Sequence, residues 1–127
     1  MPPVQMLEVA PYLLVADLDD SAAFYREVLG FSYDPVELAA GRTLVVSRDG
    51  IALVLRQAGP DGPPVSTRPP EAADVYIWVT DVVALAEELT ARGADVLPPP
   101  AGAADDGREM QVADIDGHVI CFAQLLD

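Results

Sequence analysis

The chain has 127 residues, of which 51% are hydrophobic, so it can bury a core and is too apolar for a disordered segment. Twenty-one acids stand against seven bases, all of them arginine, giving a formal charge of −14. That balance argues against nucleic acid and anionic membrane as partners, since both attract basic patches. It fits either a merely soluble acidic surface or one that steers a cationic ligand toward a cleft. No apolar run approaches the ~20 residues needed to span a bilayer. Residues 1–6 lack the basic start and apolar stretch of a secretory leader. The single cysteine, Cys121, cannot close an internal disulfide, and a reducing cytoplasm is the expected location.

After a short lead-in, an apolar run predicts a strand from about Leu7 to Val15. Asp17 follows as a helix cap. Leu18, Ala22, Tyr25 and Leu29 recur at helical steps, so a helix is expected over Asp19–Leu29, closed by Gly30. Phe31–Glu37 reads as a weak strand damaged by Pro35. Arg42–Ser47 and Ile51–Gln57 read as two strands joined at Asp49-Gly50, a strong hairpin signal. Residues 58–73 contain five prolines and two glycines and read as a linker. The order then repeats. A strand is expected over Asp74–Thr80, a helix over Val82–Arg92 with Val82, Leu85, Ala86 and Leu89 on one face, and a short strand over Ala94–Leu97. A proline-rich loop, Pro98–Gly107, carries Asp105-Asp106. Strands over Glu109–Ala113 and His118–Leu125 flank Asp116-Gly117.

Val15 matches Val79 and Asp17 matches Asp81, each 64 residues apart. The chain is therefore two copies of one β-α-β-β-β unit. The expected fold class is α+β, with two tandem modules forming a curved mixed sheet and helices on its outer face. The expected organisation is one domain over 1–127, with module one at 7–57, a linker at 58–73 and module two at 74–125.

Strand alternation assigns faces. Val75, Ile77 and Val79 suit the helix-packed side, which leaves Asp74, Tyr76 and Trp78 on the other. Ile120 and Phe122 go under the helices, leaving Val119, Cys121 and Ala123 opposite. By the repeat, Ala10, Tyr12 and Leu14, with Ala52, Val54 and Arg56, share that second face. Two tyrosines, a tryptophan, an arginine and an aspartate among small residues suit a ligand pocket. Each also has a plainer role: aromatic residues can fill a hollow, Asp74 can cap a strand, and Arg56 can pair with a nearby acid.

The sequence VADLDDSAAFYREVLGF in the first copy and DIDGHVICF in the second resemble the glyoxalase/bleomycin-resistance/extradiol-dioxygenase superfamily, also called vicinal oxygen chelate proteins. The likeness covers nearly the whole chain. Its specific pieces are Asp17-Leu18, Ser21, Phe24-Tyr25, Leu29-Gly30-Phe31, Asp114, Asp116-Gly117 and Phe122. In metal-using members the resemblance implies four ligand positions, and here these fall on Ala10, Val54, Asp74 and Cys121. Alanine and valine cannot ligate a metal, so neither a metal nor another cofactor is expected, and no catalytic residue is assigned. His118, the only histidine, has the wrong parity for the second face.

The resemblance is nearest in character to bleomycin-resistance-type proteins, which are metal-free, acidic and sequester a bulky cationic antibiotic between two subunits. VYIWV and the Gly-Arg-Glu run leading to Asp-x-x-Gly echo them. The reading is metal-independent small-molecule binding by a homodimer, with Tyr12, Tyr76 and Trp78 stacking on flat groups, Asp74 facing a cation and Arg56 holding an anionic or carbonyl group. Two alternatives stand beside it. One is a metal-dependent glyoxalase-like lyase, isomerase or dioxygenase, with a metal held by Asp74 together with Glu8, Glu109 or Gln111. The other is a non-catalytic dimerisation or regulatory domain.

Overall fold

Two Asp-capped helices, each following a short apolar strand, organise the chain. The computed structural model describes residues 3–63, 69, 72–97 and 109–124. Module one contains β1 (Tyr12–Val15), α1 (Leu18–Glu27), α2 (Pro35–Ala40), β2 (Thr43–Arg48) and β3 (Ile51–Gln57). Module two contains β4 (Val75–Val79), α3 (Val82–Ala91), β5 (Asp95–Val96), β6 (Glu109–Ala113) and β7 (Val119–Gln124). The Asp17 side chain accepts from the Asp20 amide and that of Asp81 from the Ala84 amide, each at 3.0 Å. These bonds satisfy donors that the first turn of a helix leaves open.

The fold is α+β as expected, its strands forming two mixed sheets, one per module. One has the order β1-β3-β2 and the other β4-β7-β6-β5. β1 runs parallel to β3, and β4 parallel to β7; the remaining pairs are antiparallel. The chain between the parallel partners runs through α1, α2 and β2 in module one and through α3, β5 and β6 in module two, long enough for the crossover that parallel strands need. The buried side chains of both sheets and both long helices join one apolar core, which includes Leu13, Tyr25, Leu44, Leu55, Ile77, Leu89, Val112 and Phe122. Asp49 and Gly50 both have positive φ, and together they form the two-residue turn that fixes the β2–β3 register.

Three expectations are corrected. The first strand is four residues long, not nine, and Leu7 and Val9 lie in an extended lead-in with almost fully exposed side chains. Residues 31–37 do not form a strand. Only Ser32 bridges to Ser47, and Pro35 opens α2 with the Asp34 carboxylate accepting from the Val36 amide at 2.9 Å. Proline with its fixed φ suits the first position of a helix, so the residue read as breaking a strand starts a helix instead. The first long helix begins at Leu18 and ends at Glu27, slightly earlier than Asp19–Leu29. The loop over 98–107, residues 64–68, 70 and 71 of the linker, and Leu125 lie outside the described residues.

Candidate functional site

The helices cover one face of each sheet, and the expected ligand residues lie on or beside the other. In the four-stranded sheet, Val75 and Ile77 are buried under α3, while Tyr76 and Trp78 alternate with them and are 44% and 59% exposed. Their rings meet edge to face with centroids 4.9 Å apart, the arrangement favoured by ring quadrupoles. The Tyr76 hydroxyl donates to Glu109 Oε2 at 2.8 Å, across the sheet on β6. The central strand beneath carries small side chains, with Cys121 opposite Tyr76 and Ala123 opposite Trp78. Cys121 and Ala123 are buried, so they floor the aromatic shelf and do not line an open surface as expected.

The three-stranded sheet holds Tyr12 and Arg56. Tyr12 lies opposite Val54 and is more than half exposed. Arg56 is half-buried and donates from Nη1 to Thr43 Oγ1 at 3.2 Å on β2. The structure therefore brings Tyr76 and Trp78 together and sets Tyr12 and Arg56 on a separate sheet. Asp74 precedes β4. Its amide donates to the Val119 carbonyl and its Oδ2 accepts from the Val119 amide, both at 2.8 Å. That carboxylate extends the β4–β7 pairing by one rung, which is the capping role of the plainer reading.

The four positions implied for a metal do not suit one. Ala10 and Val54 offer no donor, and the Asp74 carboxylate holds a backbone amide. Burial, with Glu109 beside it, pushes the Cys121 thiol up to about 11. It is a neutral thiol near pH 7 and not an activated nucleophile. Among the described residues, no three His, Cys, Asp or Glu side chains are placed to hold an ion.

His118 is structural, its ring nitrogen Nε2 lying 2.7 Å from the Leu14 carbonyl. Two features went unread in the sequence. Glu109 partners Tyr76, and the signal available was parity, since Glu109 and Gln111 alternate with buried Met110 and Val112. Gln57 and Gln124 end the last strand of each module and accept the amide of Leu18 (2.7 Å) and Val82 (3.1 Å) respectively. The repeat thus extends to a matched pair of glutamine straps.

The model of the Glyoxalase/Bleomycin resistance protein/Dioxygenase superfamily matches residues 5–122. The chain belongs to that superfamily. CFP32 of Mycobacterium tuberculosis, whose name assigns it provisionally as a glyoxylase, is 34% identical over 107 residues, covering 84% of this chain and 40% of its own. The chain thus spans about 40% of the length of the curated relatives it matches. Solved structures similar to this chain include TnmS3, an antibiotic-binding protein from Streptomyces sp. CB03234, at 28% identity and a TM-score of 0.66, covering 97% of this chain and all of that one. They also include the bleomycin-binding protein of Streptomyces verticillus in complex with copper(II)-bleomycin, at 25% identity and a TM-score of 0.64, covering 98% of this chain and all of that one. The two sheets and their crossover helices are thus a vicinal oxygen chelate fold. Among the described residues no helix is long and apolar enough to cross a membrane.

Proposed function

We propose that this superfamily member binds and sequesters a small aromatic, cationic molecule of the antibiotic class, without catalysis and without a metal. The observation that carries the reading is the Tyr76–Trp78 ring pair, exposed on the helix-free face beside Glu109. Exposed neighbouring aromatic rings on a rigid strand are costly in water unless something covers them. A flat ligand stacking there gains about 0.5–1.5 kcal/mol per ring contact beyond the area it buries. Glu109 adds a carboxylate at the shelf's edge, and the acidic chain favours a cation. The names of TnmS3 and the bleomycin-binding protein support the same class of ligand.

The binder works as a pair of identical chains. Val4, Met6, Leu7 and Val9 stand almost fully exposed, and Tyr12 is more than half exposed. A second copy covering them removes an apolar surface that a lone chain leaves in water. Tyr12 and Arg56 of one copy would then face the shelf of the other.

Thermal melting tests the reading. A ligand at a hundredfold excess over its dissociation constant stabilises the folded state by about 2.7 kcal/mol. Bleomycin, metal-free and copper-loaded, should raise the melting temperature, while Ni²⁺, Mn²⁺, Fe²⁺ and Zn²⁺ alone should not. A clear rise with one of these metals, together with its recovery in the purified protein, would transfer the reading to a metal-dependent enzyme.

A further inference from the structure

The two modules meet along two seams related by the internal repeat, and the two are closed by different chemistry. At the first seam the β6–β7 turn lies against β1 and α1. Asp116 accepts from the Ala16 amide at 3.1 Å and from the Ser21 hydroxyl at 3.4 Å. The buried Tyr25 hydroxyl donates to Asp114 at 2.7 Å, and His118 meets the Leu14 carbonyl. At the second seam the β2–β3 turn lies against β4 and α3. The repeat replaces Ser21 by Leu85, Tyr25 by Leu89, Asp114 by Ser47 and His118 by Ile51; Asp116 alone keeps its chemistry, as Asp49. The hydrogen bonds that close the first seam have no counterparts of the same chemistry at the second.

What occupies the second seam is a cavity of ≈750 Å³, within the range of small-molecule sites. Phe31, Ile51, Ile77, Trp78, Leu85 and Phe122 form its apolar walls. Arg48 braces one side, donating to both Glu88 oxygens at 2.8 and 2.9 Å and to the Leu29 carbonyl at 2.9 Å. That guanidinium is thereby matched by a carboxylate in bidentate fashion. Asp49 and Asp81 add two further carboxylates to the lining. Asp49 is almost fully solvent-facing with its Oδ2 3.8 Å from Arg48 Nε, and Asp81 also accepts the Ala84 amide at the start of α3.

The geometry points to this seam as a second small-molecule site, taking a monocation with a flat apolar body. The body lies against Trp78, Ile51 and Phe122, and the cation lies toward Asp49 and Asp81. An anion is disfavoured there, because the arginine at the wall already has its partner and the chain as a whole carries −14. The site adjoins the aromatic shelf through Trp78, which lines both, and does not depend on the shelf binding anything.

The test is a fluorescence titration with ethidium, a flat aromatic cation, beside the anionic dye 1-anilinonaphthalene-8-sulfonate. Ala84 lines the cavity on α3. Ala84→Phe should fill it and weaken ethidium by about tenfold or more. Ile51→Phe, from the opposite wall, should do the same, and serves if Ala84→Phe does not melt as a folded protein. Asp49→Asn should weaken ethidium by about threefold at low salt, whereas Tyr76→Ala on the shelf should change it by less than about twofold. Three results would overturn the proposal: no saturable ethidium binding, anionic dye binding as tightly, or binding lost with Tyr76→Ala and kept in both cavity-filling variants. The last would assign ethidium to the shelf, so failure at this site leaves the shelf reading intact.

Discussion

Asp114 shows how one side chain serves both modules. Its Oδ1 accepts the amides of Asp116 and His118 at 2.9 Å, and its Oδ2 accepts the Tyr25 hydroxyl from α1. Burial holds its carboxyl above the ordinary aspartate range, with the Tyr25 hydrogen bond and nearby His118 pulling partly the other way. The folded state therefore binds this proton more tightly than the unfolded chain does. Asp114 thus favours folding fully below the ordinary aspartate value, and that contribution fades as pH rises through the raised folded value. Asp114→Asn keeps a carbonyl for the two amides and offers an NH₂ to the Tyr25 oxygen, while removing the buried charge. Urea midpoints measured across the acid range should show a smaller decline with rising pH in Asp114→Asn than in the parent. Identical pH profiles would contradict this account. The sequence marked Asp114 and Tyr25 as superfamily residues but did not show that they touch, because 89 residues separate them. It read the parity of Tyr76 and Trp78 correctly. Asp74 was harder, since parity says which face a residue leaves from and not which backbone amide its carboxylate captures.

At the scale of elements, most of the chain was legible because it is written twice. Strand Ile51–Gln57 has the bounds expected, and α3 and β6 fall within a residue of theirs. The misses occur where local signals compete. Leu7 and Val9 carry strand-like apolar alternation but find no sheet partner within the chain as described. Asp34-Pro35 is both a strand-breaking and a helix-starting pair, and the helix wins because the Asp34 side chain caps it. The glycine that follows α1 offers a test of local reasoning. Gly30 has φ +76°, and a Cβ there would lie 2.8 Å from Arg48 Nη1, an atom pinned by Glu88 and the Leu29 carbonyl. Gly50 has φ +82° with open space around it. Both alanine variants carry the left-handed penalty of about 1–2 kcal/mol. Gly30→Ala should cost more than Gly50→Ala in denaturant unfolding, because it also displaces the arginine. Equal costs would mean that Arg48 yields freely and does not brace the seam.

Across the whole molecule, the two repeated modules share a core but differ in the side chains at their seams and open faces. The first seam turned into a hydrogen-bonded joint and the second kept an apolar hollow beside an Arg48–Glu88 pair. The four-stranded sheet carries an aromatic shelf, and the four positions that the resemblance implies for a metal hold Ala10, Val54, an Asp74 whose carboxylate accepts a backbone amide, and a neutral Cys121. Fold and family were readable because spacing and turn chemistry recur; the cavity was not, because a void is set by how two modules meet and by no residue pattern. The aromatic shelf is the feature on which the proposed function turns.

The most direct test of that claim is a calorimetric titration of the purified, metal-free protein with bleomycin, run beside Tyr76→Ala. The account predicts saturable binding to the parent and a loss of about tenfold or more in affinity for the variant, the equivalent of about 1.4 kcal/mol. Absence of heat that saturates, or equal affinity in the two proteins, would contradict a shelf built to hold such a ligand.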